Sequence, residues 1–416
     1  MSIKMEDYKI RKLDKAPINW NAVRLKDICD VRSEKFNPLQ NENCKYIALE
    51  HLQQVTGKLI NFGDSIETSS IKSKFYKNDI LFGKLRPYLK KYLYAEFDGV
   101  CSTEIVVLKT KPENDSLYNF YLIQQDKFIE YLSTKSFGTK MPRTSWDIMG
   151  EYKLFTPPLK EQQKIASILL TIDNLIENTD HLINSYTLLK KGLMQTLLTK
   201  GIGHNKFKKT ETGEIPEDWE FCKLGRYIKL LGGFAFRSSN FTDTGIKILR
   251  ISNIKDNSID FNEYASYPID LVKDLKEFIL EESDVVIAMS GATTGKIGLV
   301  SREKLPCLLN QRVGKFKIID YNKINKRFIF YLTNMSYFQN KIWDFAIGDA
   351  QPNISGLQIE SIEVAVPPIK EQLKISEILN YADMQINLYK EKKEYLNLLK
   401  KGLMQQLLTG KIRVRV

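Results

Sequence analysis

The sequence predicts an α+β fold: two globular domains with curved β-sheets, separated by a pair of long coiled-coil helices. Three observations support this prediction. They are an internal repeat, a heptad pattern in each copy of the repeat, and short β-rich runs in the remainder. The chain has 416 residues, enough for about two or three domains with separate cores.

The repeat is clearest at the end of each half of the chain. The segment PPLKEQQKIASILLTID begins at Pro157, and its counterpart PPIKEQLKISEILNYAD begins at Pro367. At the same separation, LLKKGLMQTLLT from Leu188 matches LLKKGLMQQLLT from Leu398. Upstream the match needs gaps: KYIALEHL aligns with KILRISNI, and NDILFGKLRP aligns with SDVVIAMSGA. Each half is therefore predicted to be a variable globule followed by a shared helix.

This pattern divides the chain into five predicted segments. The variable parts contain β-rich runs such as EIVVLKT and GKFKIID between turn signals, whereas the stretch after the first helix is polar and contains glycine. The segments are a first globular domain at 1–156, a central helix at 157–200, a linker at 201–215, a second globular domain at 216–366 and a C-terminal helix at 367–416.

Both copies of the shared segment are predicted to form a long helix that starts at a Pro-Pro pair, which suits a first helical turn. With Ile165 at heptad position a, apolar residues recur at positions a and d. Gln385 and Lys392 occupy d positions of the second copy and interrupt its apolar seam. The predicted helix-pair interface consists of Ile165, Ile168, Ile172, Leu175, Leu182, Tyr186, Leu189, Ile375, Ile378, Tyr389, Leu396 and Leu399.

Composition narrows the class of protein. The 62 basic and 50 acidic residues give a net charge of +12, which favours a polyanionic partner such as DNA. The five cysteines are widely spaced and form no Cys-x-x-Cys pair, which argues against a disulfide framework or zinc ribbon and fits a reducing cytoplasm. Apolar runs are far too short for a membrane span, and Lys4 and Glu6 near the start predict that there is no secretory signal.

Motifs for catalysis are weak. SGATTGKIG from Ser290 is similar to a phosphate-binding loop, but Gly291 and Gly295 are too close together, and Ile297 replaces the Ser or Thr that would hold magnesium. The three histidines are far apart in the sequence: His51, His181 and His204. We expect no catalytic residue, no metal site and no cofactor.

Candidate DNA-binding residues are easier to find. FGKLRPYLKKYLY from Phe82 has closely spaced cations, tyrosines and no acid, so it can neutralise phosphates and offer Arg or Lys to guanine; Asn and Gln can read adenine. The alternative for this segment is a solvated strand pair that carries lysine side chains on its surface. The predicted DNA-binding residues are Lys84, Arg86, Lys90, Lys91, Lys140 and Arg143 in the first domain, and Thr293, Thr294, Lys296, Arg312, Gln351 and Asn353 in the second.

The duplicated arrangement resembles the specificity subunit of a type I restriction-modification system. The residues that carry the likeness are the two PP[LI]KEQ helix starts, the two KKGLMQ.LLT endings and the linker phrase TGEIPEDWE. The resemblance covers essentially the whole chain. It implies two target-recognition domains, each reading one half of a split double-stranded DNA sequence. It further implies that the two long coiled-coil helices pair antiparallel, which would relate the domains by pseudo-two-fold symmetry. It also implies docking of two methyltransferase subunits, and of restriction subunits in the full complex.

Helix length agrees with that resemblance. A helix of about 43 residues is roughly 65 Å long, comparable with one to two turns of DNA, so the helices could set the spacer between two half-sites. Two alternatives remain open at this point. One is a coiled-coil scaffold without DNA binding, and the other is a nuclease or methyltransferase whose site the motifs do not reveal.

Overall fold

The computed structural model describes residues 19–138, 140–255, 257–273, 275–346 and 352–415. Its contacts divide the chain into two compact units. Unit 1 comprises Met1–Asp180 and Glu391–Val416, and unit 2 comprises His181–Lys390. Each unit combines several small β-sheets with helices, which confirms the predicted α+β class.

Unit 1 contains eleven strands among its described residues: β1 Asn21–Arg24, β2 Cys29–Val31, β3 Lys35–Phe36, β4 Lys45–Ile47, β5 Gly63–Asp64, β6 Lys72–Phe75, β7 Ile80–Gly83, β8 Tyr92–Tyr94, β9 Gly99–Cys101, β10 Ile105–Thr110 and β11 Lys153–Thr156. Its shorter helices are α1 Leu25–Ile28, α2 Ser116–Leu122, α3 Asp126–Lys135 and α4 Trp146–Gly150. The long helix α5, Leu159–Leu197, begins in this unit.

Unit 2 has thirteen strands in the described part of the chain: β12 Phe207–Thr210, β13 Gly213–Pro216, β14 Glu220–Lys223, β15 Ile228–Gly232, β16 Ile246–Leu249, β17 Ile254–Lys255, β18 Ser258–Ile259, β19 Ala265–Tyr267, β20 Val285–Ala288, β21 Ile297–Leu299, β22 Cys307–Leu309, β23 Val313–Ile318 and β24 Glu363–Val366. Its helices are α6 Lys326–Thr333, α7 Ser336–Ala346, α8 Gly356–Ser361 and the first part of α9, Ile369–Leu407.

The two units share a β-sheet plan. A four-stranded sheet has the order β2-β10-β7-β8 in unit 1 and β15-β23-β20-β21 in unit 2. The first and last strands of each globule also pair antiparallel, β1 with β11 and β14 with β24. A parallel pair recurs as well, β4 with β9 and β16 with β22. The repeat seen in the sequence is therefore a repeat of topology.

One short helix in each unit, α2 or α6, is capped and anchored to a long helix in the same way. Asp115 accepts a hydrogen bond from the backbone N–H of Tyr118 at the start of α2, and Asn325 does the same for Arg327 and Phe328 at the start of α6. The side-chain oxygen of a buried glutamine on the long helix accepts from the cap residue's own N–H. This glutamine is Gln162 in unit 1 and Gln372 in unit 2, and the distance from the backbone nitrogen to Oε1 is 2.9 Å in each.

Halves of the two long helices pair antiparallel within each unit. In unit 1, Asp173 of α5 forms an ion pair with Lys400 of α9, and Asp180 forms one with Lys393. The two helices therefore run in opposite directions. In unit 2, Lys190 of α5 pairs with Asp383 of α9 at 2.6 Å. The rings of Tyr186 and Tyr389 also lie 5.6 Å apart.

The helix-pair contact uses one of the two predicted heptad columns. The predicted a positions are buried or half-buried: Ile165, Ile172, Tyr186, Ile375, Tyr389 and Leu396. The predicted d positions are more open, since Ile168 and Leu399 are half-buried and the other four are exposed: Leu175, Leu182, Leu189 and Ile378. The second inward column lies one residue later: Leu169, Ile176, Ile183, Lys190 and Leu197 on α5, and Leu379, Ile386, Lys393, Lys400 and Leu407 on α9.

This shift accounts for the polar residues that interrupted the predicted seam. Lys392 is exposed, and Lys393 beside it faces inward and pairs with Asp180. Gln385 is half-buried next to the buried Ile386. The apolar seam of α9 is therefore continued by Ile386 and by paired lysines, and it is not broken at its middle.

Matching clusters hold the helix pairs to their globules. Asp173 accepts a hydrogen bond from the Tyr121 hydroxyl at 2.8 Å, and Asp383 accepts one from Tyr331 at 2.9 Å. The lysine paired with each aspartate, Lys400 or Lys190, also lies over the corresponding tyrosine ring. Burial and the neighbouring carboxylate raise the pKa of both tyrosines, so they remain hydrogen-bond donors at neutral pH.

After each long helix the chain is fixed to a glutamate at the start of the other one. In unit 1, Arg413 forms two hydrogen bonds of 2.7 Å with the carboxylate of Glu161. In unit 2, Glu371 accepts from the Trp219 indole at 3.0 Å and lies 2.9 Å from His204. Gly201 has φ +66°, and a Cβ there would collide with the Glu371 carboxylate, so this turn requires glycine.

We predict that the inward column of α5 stabilises unit 1 far more than its exposed neighbour. Ile176 is 7% exposed and Leu175 is 40% exposed. Ile176→Ala should lower the free energy of unfolding by about 2–4 kcal/mol, because it leaves a cavity in the helix pair. Leu175→Ala, the matched control, should cost less than about 1 kcal/mol. Chemical denaturation followed by circular dichroism measures both, and equal losses would contradict the observed register.

We also predict that three thiols are protected from alkylation. Burial raises the pKa of Cys29, Cys101 and Cys307 to about 12, so each is protonated at pH 8, and their side chains are 0% exposed. Iodoacetamide at pH 8 should therefore label the half-buried Cys44 in the native protein, and Cys222 more slowly, because burial raises the pKa of that thiol too. All five thiols should react in denaturant. Mass spectrometry of the digests gives the answer, and rapid native labelling of Cys101 would count against the sheet core.

Candidate nucleic-acid interface

Two loops meet at the end of the four-stranded sheet in each unit. In unit 1 the loop at 84–91, between β7 and β8, meets the loop at 137–144. The N–H of Arg86 donates to the carbonyl of Pro142 at 2.7 Å, and the N–H of Thr144 donates to that of Lys84 at 3.0 Å. We call this meeting of loops junction 1.

Unit 2 repeats the arrangement with different side chains. The N–H of Gly291 donates to the carbonyl of Pro352, and the N–H of Ile354 donates to that of Met289, both at 2.9 Å. We call the meeting of loops 289–296 and 352–354 junction 2. The two junctions share backbone hydrogen bonds, so a common scaffold carries two sets of side chains.

All six residues predicted for DNA binding in the first domain lie in junction 1. Four are on the first loop: Lys84, Arg86, Lys90 and Lys91. Arg143 is on the second loop, where its backbone pairs with Leu85 of the first loop and with Phe137 of its own loop. Lys140 is an exposed residue of the second loop. The fold therefore concentrates positive charge that is spread over about sixty residues of sequence, which is what a phosphate-binding surface needs.

Four of these cations have partners within the protein. The Lys84 ammonium donates to the carbonyl of Thr103 at 2.6 Å, and the Lys91 ammonium donates to that of Leu49 at 2.5 Å. Lys90 forms an ion pair of 2.5 Å with Asp126, and Arg143 forms one of 2.7 Å with Glu104. These contacts order the side chains and offset part of their charge.

Burial and hydrogen bonding shift the pKa values of two groups in or beside junction 1, Lys84 and Asp126. Desolvation lowers the pKa of the Lys84 ammonium, although Glu104 nearby opposes that shift. The hydrogen bond from Lys90 lowers the pKa of Asp126, so this carboxylate stays ionised and keeps its partner paired. Lys140 and Arg86 have no hydrogen bond or ion pair from their side chains to any described residue.

Junction 1 also exposes apolar side chains. Phe137 and Met141 flank the tip of the second loop and are 76% and 53% exposed, and Tyr88 on the first loop is 51% exposed. Cations beside exposed aromatic and apolar groups can contact phosphates together with sugars or base faces. This combination fits a nucleic acid better than a small polar ligand.

Junction 2 contains four of the six predicted residues, Arg312 adjoins it, and Gln351 lies outside the described residues. Thr293, Thr294 and Lys296 are on the first loop; Asn353 is bridged to Ser290, and the carbonyl of Arg312 accepts from the N–H of Met289. Thr294 is 3% exposed, and its hydroxyl bonds to the carbonyls of Gly291 and Pro352, so it holds the loops together. The side chains open to solvent are those of Lys296, Arg312 and Asn353.

Sequence reasoning missed several polar groups at these junctions. Buried side-chain atoms without a hydrogen-bond partner among the described residues include one oxygen of Glu104 and the Thr144 hydroxyl in unit 1, and Arg250 Nε and the Ser290 hydroxyl in unit 2. Ile251, next to Arg250, packs 3.6 Å from where a Cβ on Gly291 would be. The alignment of the two repeats could have identified Arg250, because it places this cation opposite the small apolar residue Ala48 of the first half.

Features of other functional classes are sparse. In the described ranges, no group of three or more His, Cys, Asp or Glu side chains could hold a metal ion. His51 accepts a hydrogen bond from the N–H of Ala48, and His204 contacts Glu371, which gives both a structural place. Among the helices described, none is both long and apolar enough to cross a membrane.

Comparison with known proteins gives a consistent result. The family model for the type I restriction modification DNA specificity domain matches residues 17–186 and 216–398. The MjaVIII type I restriction enzyme specificity subunit of Methanocaldococcus jannaschii is 32% identical, over 99% of this chain and 97% of that protein. A second relative from that organism, the putative MjaX specificity subunit, is 27% identical over 99% of this chain and 98% of its own.

A solved structure shares the fold. The type I restriction-modification S subunit from M. genitalium aligns with a TM-score of 0.60 over 94% of this chain and 96% of its own, at 16% sequence identity. The family match falls once on each half of the duplicated chain, and the full-length relatives are specificity subunits. The chain therefore belongs to the family of type I restriction-modification specificity subunits.

Proposed function

We propose that this chain reads a bipartite DNA sequence, one half-site through each globule, and directs methyltransferase and restriction subunits to it. The observation that carries the proposal is the pair of junctions. Two DNA specificity domains of one family have the same loop scaffold and present different side chains on it. Recognition of two unlike half-sites requires different side chains, and the shared loop scaffold can carry both sets.

The predicted residues then divide by chemistry. In the first domain, Lys140 and the ordered lysines of junction 1 would neutralise phosphates and fix the position of the duplex. In the second domain, the exposed Lys296 and Arg312 would neutralise phosphates, and Asn353 would read an adenine edge through its amide. Gln351 stays a predicted adenine reader on sequence grounds alone.

The five predicted segments acquire functions in this proposal. Residues 1–156 and 216–366 would be the target-recognition domains, and 157–200 and 367–416 the helices that set the spacer. Residues 201–215 would link the central helix to the second domain. The repeated helices would each offer one docking surface, so two methyltransferase subunits would bind, with restriction subunits in the full complex. We propose that the chain performs no chemical step itself, needs no cofactor, and works in the cytoplasm, where its DNA is.

The direct test is methylation in the reconstituted assembly. The full chain is combined with the methyltransferase subunit of its own system, S-adenosylmethionine and genomic DNA, and methylated adenines are mapped by sequencing. One interrupted sequence should account for the methylated positions, and duplex affinity should fall steeply with salt as counterions are released. Methylation without sequence preference would reject the proposal. Absence of duplex binding would favour the scaffold, and chemistry by the chain alone would favour a hidden enzyme.

We predict that exchanging the first globule changes one half-site only. Residues 21–156 are replaced by the matching segment of another specificity subunit that keeps the tyrosine facing Asp173, so that the contact with α5 survives. The methylated sequence should change on one side of the spacer, while the spacer length and the other side stay the same, because those depend on unexchanged residues. A change on both sides would show that the globules do not read independently.

A further inference from the structure

The loop of junction 1 holds basic side chains at two left-handed backbone positions. Arg86 has φ +49° and Lys90 has φ +52°. The matching loop of unit 2 has Gly291 at φ +76° and Gly295 at φ +86° in the corresponding places. Glycine adopts this region without steric cost, whereas a residue with a Cβ is strained there. Unit 1 therefore keeps two long cations where the shared loop favours glycine.

The two cations differ in what they contact. Lys90 forms the ion pair with Asp126, which gives its side chain a place in the fold. The Arg86 side chain has no hydrogen bond or ion pair to any described residue. Its Nε is buried without a partner, although the residue as a whole is only partly buried. Nothing described within the protein offsets the strain and the unmet hydrogen bond at Arg86.

Arg86 is also the exception among the cations of its loop. Lys84 and Lys91 donate to backbone carbonyls, and Arg143 on the facing loop is held by Glu104. The backbone of Arg86 is nevertheless fixed, because its N–H donates to Pro142 and its carbonyl accepts from Leu89. A fixed backbone with an unpaired, planar donor suits recognition of a ligand that offers two acceptors.

We propose that Arg86 is a specificity-determining residue that reads a guanine in the half-site of the first globule. This inference rests on the proposed function and names one contact within it. The guanidinium presents a rigid, planar fork of N–H donors that matches O6 and N7 of guanine in the major groove. A lysine ammonium can reach the same acceptors, but it has no fixed fork to orient the contact. The tied lysines around Arg86 order the loop and contact phosphates, and the strain at Arg86 is retained because this contact uses its side chain.

The experiment compares variants of the full chain, assembled with its methyltransferase subunit, on duplex libraries randomised in each half-site. Arg86→Gly removes the side chain and gives the left-handed backbone its preferred residue, so the melting temperature should not fall. Discrimination at one G·C position of one half-site should fall by about 10- to 100-fold, with the other half-site unchanged. Arg86→Lys keeps the charge and should lose most of that discrimination. Lys153→Ala, which removes an exposed charge from β11, is the control and should keep the wild-type preference.

The outcomes separate the inference from the proposed function. A wild-type assembly that selects no interrupted sequence rejects the proposed function itself. If the wild type selects a target and Arg86→Gly keeps the same base preferences, Arg86 does not read a base. A uniform loss of affinity on all sequences, restored by Arg86→Lys, would assign it to a phosphate and also overturn the inference. A large fall in the melting temperature of Arg86→Gly would show a structural role instead.

Discussion

Each globule is completed by a helix that starts in the other copy of the repeat. Leu407 and Leu408, at the end of α9, are buried in the core of unit 1, and Leu197 and Leu198, at the end of α5, are buried in the core of unit 2. A single copy of the repeat would leave its globule without these apolar residues, and the helix end would expose them to water. The duplication therefore completes the apolar core of each globule as well as supplying two DNA specificity domains.

Charged groups make this exchange specific. Burying leucine is non-directional, whereas the pairs Lys400–Asp173 and Lys190–Asp383 form at one helix register only, and a tyrosine of the globule fixes each aspartate. The same cluster occurs in both units, so both globules are attached to the helices by the same contacts. The junction loops are held together largely by backbone hydrogen bonds, which impose no side-chain identity, and Thr294 and the left-handed positions are the exceptions. Variation in what is read can therefore accumulate in the loops without disturbing the helices.

The sequence predicted the class, the repeat and both long helices, whose observed starts at Leu159 and Ile369 lie within two residues of the predicted ones. It left the second heptad column undecided for a physical reason. Positions d and e of α5 are both apolar along most of its length, as Leu175 beside Ile176 shows, so periodicity alone cannot choose between them. The choice is made by contacts far away in the sequence. It places lysines in the seam, which a rule that puts charges outside would not predict.

The sequence predicts where the candidate site lies, but it does not predict the role of each residue within that site. Closely spaced cations, and the alignment of NDILFGKLRP with SDVVIAMSGA, indicate matching loops in the two halves. The groups that bind Lys84 and Lys91, however, are the carbonyls of Thr103 and Leu49, which have no sequence signature. These contacts change the electrostatic argument. A lysine or arginine already paired with a carboxylate, such as Lys90 or Arg143, neutralises less phosphate charge than a free one, whereas a lysine bound to a carbonyl keeps its charge. The number of basic residues therefore overstates the salt dependence of binding. Specificity then depends on the few donors that the fold leaves unpaired.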